Sequence, residues 1–134
     1  MNKNHTSLER SKKLAEILPL ESADNVIVSF GTREGTKTVV MPKETLDIIR
    51  TPFSDIRETT MCWSLAALLG LMPKLYEFEN DPNDGGCQPN LCKGWDNNQW
   101  HIVYRSSIYI TEWYDDPIDA CVEMVCWLKE NGKI

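Results

Sequence analysis

The sequence has no apolar run long enough to cross a bilayer; its longest, Leu65 to Met72, falls well short of a spanning helix. It also has no tract of basic residues. Its 14 Lys and Arg are outnumbered by 20 Asp and Glu, for a net charge of −6. Phosphate-backbone recognition needs a clustered basic face, so nucleic acid is not expected as a partner. An excess of this size is ordinary solubility and does not suggest mimicry of nucleic acid. The N-terminal stretch MNKNHTSLERSKK has no apolar segment followed by a small-residue cleavage site, so the expectation is a cytoplasmic protein with no membrane partner. Five cysteines, an odd number, then read as thiols in a reducing compartment. Complete cofactor motifs are missing as well. Gly31 to Gly35 lacks the GxxxxGK[ST] pattern of a phosphate loop. Asp81 to Cys92 opens like a calcium loop but has Gly at its fifth position and Cys where the closing Glu belongs. No cofactor is expected.

What is present is the pattern of a single small α+β domain over residues 1–134, mainly an antiparallel sheet with three to four helices packed largely on one face. Thr6 and Glu9 are spaced as a capping box, Leu14, Ile17 and Leu18 continue a helical stripe, and Pro19 stops it. Asn25–Phe30 and Thr36–Met41 are rich in β-branched residues around a Gly-containing loop, which predicts a hairpin. A short helix is expected from Pro42 through Ile49. A longer one is expected from Thr60 to Pro73, capped by Thr59 or Thr60 and apolar nearly all round, hence the most buried of the set. Leu75–Glu79 alternates like a strand, and Asn80–Gln99, with its Gly, Pro, Asn and Asp, reads as a long loop.

The clearest signal is Trp100–Ile134. Trp100–Tyr104 and Ile108–Trp113 are expected to pair across residues 105–107. Asp115 or Asp116 then caps a helix that Pro117 opens and Gly132 closes. At about 100° per residue, Ile118, Cys121, Val122, Val125 and Leu128 share one face and Asp119, Glu123 and Glu130 the other.

Three groups of residues are candidates for chemistry or contact. Cys62-Trp63, placed at the first turn of the expected core helix, gains thiolate character from the helix N-terminus. With His101 as base and an Asp, an Asn or Glu112 as orienting group it resembles the nucleophile segment of papain-like cysteine peptidases, although Thr60-Met61 stand where that signature has other residues. Cys87 and Cys92 can supply two zinc ligands where a structural site needs four. Cys121 and Cys126, about 140° apart on their helix, cannot complete the set. Trp127 lies toward the polar flank of the last helix, where an exposed Trp marks an interaction surface unless the Asn80–Gln99 loop or the hairpin covers it.

The segments SLERSKKLAEILPLESADN, CWSLAALLGLMPK and DDPIDACVEMVCWLKENGKI resemble a family of small uncharacterised proteins of gut Bacteroidales, many in prophages or other mobile elements. The resemblance is carried most specifically by Trp63–Leu69 and by Pro117-x-Asp119-Ala120-Cys121-Val122-Glu123-Met124. It implies no activity and transfers no catalytic residue. Three functions are therefore expected in order: a non-enzymatic accessory protein that binds another protein or itself, a cysteine hydrolase using Cys62 and His101, and an antitoxin-like regulatory module, the last by analogy of its strand–strand–helix end.

Overall fold

The computed structural model describes residues 5–45, 56–76, 83, 85–105 and 108–134. The backbone groups into two compact units, residues 1–67 and 68–134. Both are α+β with antiparallel sheets, as the sequence pattern requires.

In the first unit, α1 (Leu8–Ile17) is followed by a single 3₁₀ turn at Leu20–Ser22. Three strands follow, β1 (Asn25–Thr32), β2 (Gly35–Pro42) and β3 (Ile56–Cys62), in the order β2-β1-β3. The expected hairpin is β1–β2, in register from Asn25–Pro42 to Thr32–Gly35. The turn between them is Arg33-Glu34, and the Thr32 hydroxyl tightens it by accepting from Glu34 N and donating to the Gly35 carbonyl. Gly35 has φ +129°, a conformation open to glycine and strained for other residues. Val26 and Val28 are fully buried on one sheet face, with Phe30, Val39, Met41, Ile56 and Met61 packed around them. Thr60 and its neighbours are strand, not helix: β3 runs to Cys62, so neither Thr59 nor Thr60 caps anything. Their β-branched side chains suit the pleated ladder that β1 offers them.

The cap of α1 is displaced by one residue from the sequence pattern. Ser7 is the N-cap, accepting from Arg10 N. Thr6 is fully buried instead. Its hydroxyl accepts from Trp63 N at 3.1 Å and bonds Ser11 Oγ at 2.6 Å, while Thr6 N donates to Trp63 O at 2.9 Å. The end of β3 demands a partner for its outward-facing amide, and that demand outranks the local cap.

Helix α2 (Leu65–Gly70) begins in the first unit and ends in the second. Ser64 opens it, its Oγ accepting from Ala67 N. It is far shorter than the expected 60–73 helix, and only Leu68 is buried in it. The most buried of the described helices is α3 (Pro117–Glu130), which carries seven buried residues including all five of the expected stripe. Asp116 is its N-cap, Pro117 sits in its first turn, and Gly132 follows its end at φ +68°, as the residue types predict.

In the second unit the region expected as loop contains a strand. β4 (Asn90–Lys93) pairs antiparallel with β5 (Trp100–Val103). The expected partner of β5, residues 108–113, lies along its other edge through two isolated bridges, Val103–Ile110 and Trp100–Tyr114, and not as a regular strand. Leu75 makes one bridge, to Cys87, while residues 77–79 of that expected strand lie outside the described residues. Residues 46–49 of the helix expected over 42–49 also lie outside them; Pro42 itself ends β2, and Lys43 and Glu44 form a turn.

The Thr6 bridge can be tested by substitution. Thr6→Val keeps the shape and strands the Trp63 amide, so it is expected to lower unfolding free energy by about 1–3 kcal/mol in urea titration. Ser7→Ala, which removes the actual cap, is expected to cost about 1 kcal/mol.

Candidate functional site

Each candidate can now be placed. Cys62 is the last residue of β3, fully buried, not in a helix turn. Burial, and then the charge of Asp24, push its thiol up to about 12. A nucleophilic cysteine needs the opposite shift. His101 is on β5 in the other unit. Its ring lies flat against Trp113, with centroids 3.9 Å apart and planes 12° from parallel. Glu112 gives its backbone N–H to Glu123, and its side chain is exposed.

A Ser–Asp–His grouping that the sequence does not announce surrounds the start of α2. Ser64 Oγ donates to one oxygen of Asp24, and Ser64 N donates to the other at 2.9 Å. His5 forms a bridge beside Ser64 and spends its Nδ1–H on the Thr6 carbonyl at 2.8 Å. In a nucleophilic triad the histidine stands between hydroxyl and carboxylate. Here the carboxylate takes the serine proton directly and the serine oxygen caps a helix, so the grouping is scaffold.

Cys87 and Cys92 are half-buried. Cys87 exchanges backbone hydrogen bonds with Leu75 at 2.7 and 3.0 Å. Cys92 stands opposite His101 across the β4–β5 ladder, its thiol directed to the Asn90 carbonyl. Among the described residues no three His, Cys, Asp or Glu side chains converge in a way that holds a metal ion. Gly86 fits only as glycine: it has φ +75°, and a Cβ there would meet Lys74 and Tyr76 at 2.7 and 2.9 Å.

The second unit does present a site, on the outward face of its hairpin. Ile102 is fully buried and pairs with Leu91, so alternation places Asn90, Cys92, His101 and Val103 on the opposite face. The 108–114 segment extends that face. Ile110 stands beside Val103 and is 46% exposed; Trp113 covers His101 and is 41% exposed. At the tip, Gly94–Gln99 closes the hairpin through Gly94 N to Gln99 O, with Asn98 at φ +54°. Trp95 in this turn is wholly exposed. It was not distinguished by periodicity; its only sequence signal is its setting between Gly94 and Asp96-Asn97-Asn98, turn residues that hold no side chain over it.

One carboxylate holds this face in place. Glu123 on α3 accepts from Tyr114 Oη at 2.7 Å, Tyr109 Oη at 2.8 Å and Glu112 N at 3.2 Å. Burial, together with the Glu123 bond and its charge, pushes the Tyr109 phenol up to about 12. The Tyr109 ring in turn stacks on Trp127, centroids 4.5 Å apart. Trp127 is therefore half-buried where the sequence pattern places an exposed residue. The pairing segment supplies its cover.

Comparison of the chain with protein-family models, with curated proteins and with solved structures gives no match.

Two outcomes follow from these placements. Cys62 and Cys121 both have thiols raised from 9.0 to about 12 by burial first. Because the folded state favours the protonated thiol, that share of stability is intact below about pH 9 and falls as pH rises toward 12. The urea midpoint is expected to decline over that window less steeply in Cys62→Ala than in the native chain. At neutral pH, Cys87 and Cys92 are expected to react with an aromatic disulfide reagent and Cys62 not; rapid labelling of native Cys62 would contradict its placement. Separately, Glu123→Ala is expected to cost about 1–3 kcal/mol by stranding two hydroxyls and an amide. Hydrogen exchange of the 109–114 amides should accelerate in that variant.

Proposed function

We propose that this chain is a non-enzymatic accessory protein of a phage or mobile element and acts by binding another protein. The observation that carries the binding role is the outward face of the β4–β5 hairpin, with Trp113, Ile110 and the tip residue Trp95 turned to solvent. Aromatic side chains on a rigid hairpin are the usual anchors of protein contacts, giving large apolar area for little entropy. Trp113 is held by its stacking on His101, and the segment that carries it is pinned to Glu123. Exposed Glu112 and Asp115 flank it, which favours a partner with an apolar patch rimmed by basic residues. The mobile-element origin rests on the resemblance in Trp63–Leu69 and Pro117–Met124. A hydrolase reading draws no support from Cys62, whose thiol is buried and held protonated.

The test is site-specific photo-crosslinking in the producing cell, with the photoreactive residue at position 95 or 113 and a control at exposed Leu20. The expected result is an adduct with one other protein from positions 95 and 113 and none from position 20. Trp113→Ala is expected to weaken that partner's binding by about tenfold or more. Adducts of equal pattern from all three positions would sink the reading.

A further inference from the structure

We infer that the outer edge of β2 is a dimerisation edge, joining two copies of this chain antiparallel into one continuous six-stranded sheet. The inference concerns the first unit and goes beyond the contact proposed for the β4–β5 hairpin.

β2 lies at the end of the order β2-β1-β3, and six of its eight residues are exposed. The two-residue turn makes Thr32–Gly35 the hydrogen-bonded closing pair. Antiparallel alternation then directs the amides of Gly35, Lys37, Val39 and Met41 to β1. It directs the N–H and C=O of Thr36, Thr38 and Val40 outward. Among the described residues nothing bonds those outward groups. The Thr36 and Thr38 hydroxyls are engaged within their own sheet, with Arg57 and Ser29. What the edge lacks is therefore an extended backbone, not a side-chain ligand.

A second copy satisfies it in one register. With Thr38 opposite its own symmetry mate, Thr36 meets Val40 of the second copy and Val40 meets Thr36. All the outward groups then pair, in three hydrogen-bonded pairs. The one charge on the strand, Lys37, falls opposite Val39 of the second copy, so no like charges face each other. Thr38 opposite Thr38 is a favourable cross-strand pair. The ladder stops where Pro42, which has no N–H, meets Glu34 of the second copy, so the contact closes as a twofold and does not grow. Beyond the ladder the same register sets Glu34 opposite Pro42 and Arg33 opposite Lys43 of the second copy, and the four charges gathered at each end, Arg33, Glu34, Lys43 and Glu44, sum to zero.

The experiment is sedimentation of the full chain with charge variants at the axis. The native chain is expected to be a concentration-dependent dimer. Thr38→Glu and Thr38→Lys, each alone, are expected to weaken self-association by at least about tenfold, since each places like charges face to face. An equimolar mixture of the two is expected to restore the dimer, which separates loss of the interface from loss of the fold. In the native chain, exchange of the Thr36, Thr38 and Val40 amides is expected to slow as concentration rises. A native chain that stays monomeric overturns the inference. So does a dimer indifferent to both substitutions, or one whose formation leaves those three amides unprotected.

Discussion

The second unit depends on one carboxylate. Glu123 is placed by α3 on the side away from the apolar stripe, where a glutamate ordinarily faces water. It instead collects the hydroxyls of Tyr109 and Tyr114 and the amide of Glu112. The two hydroxyls make short, charge-assisted bonds to it at 2.7 and 2.8 Å, and the amide a longer one at 3.2 Å. Through them an irregular segment, held to β5 by two isolated bridges and by the Thr111 hydroxyl, which accepts from Ile102 N, gains a further attachment to α3. The segment so held carries Ile110 beside Val103 and Trp113 over His101 on the outward face, while Tyr109 stacks on Trp127 on the other side. The polar flank of the helix thus does structural work that its charge pattern would assign to solvation.

The first unit is governed by main-chain bonding. A strand such as β3 that leaves its sheet must find partners for the groups it presents outward. At its end Thr6 and Trp63 provide them for each other, with a buried hydroxyl serving both Trp63 and Ser11. Asp24 does the same one residue later, holding the amide and hydroxyl of Ser64 so that Ser64 can open α2. These bonds account for Cys62. It is fully buried at the end of β3, and burial raises its thiol well above the range of a nucleophile.

Elements whose pattern is local and strong were readable in the sequence. Asp116-Pro117, the apolar stripe and Gly132 define α3 by short-range chemistry alone, and the β1–β2 hairpin needs only β-branched runs around a turn. The coarse class, α+β with antiparallel sheets, follows from these two. Errors gathered where a distant partner decides. Thr59 and Thr60 look like helix caps beside an apolar run, yet β1 recruits them into a strand. Asn90–Lys93 has no strand composition and becomes one because Trp100–Val103 lies beside it. Trp127 looks exposed on a helical wheel because the wheel cannot contain Tyr109. The outward face was illegible for the same reason, since alternation on β4 and β5 has meaning only once the pair exists.

The two unpaired features ask for different partners. On the β4–β5 hairpin what is left over is apolar surface, which accepts any contour that excludes water from it; its specificity has to come from shape and from the flanking acids. On β2 what is left over is directional, a row of donors and acceptors at fixed spacing, and only another extended backbone fits it. Natural edges of this length are blunted by lysine or proline. β2 has one of each, but Lys37 points its amide inward and its side chain toward an apolar neighbour in the twofold register, while Pro42 lies at the last rung. Placed so, neither opposes the pairing centred on Thr38.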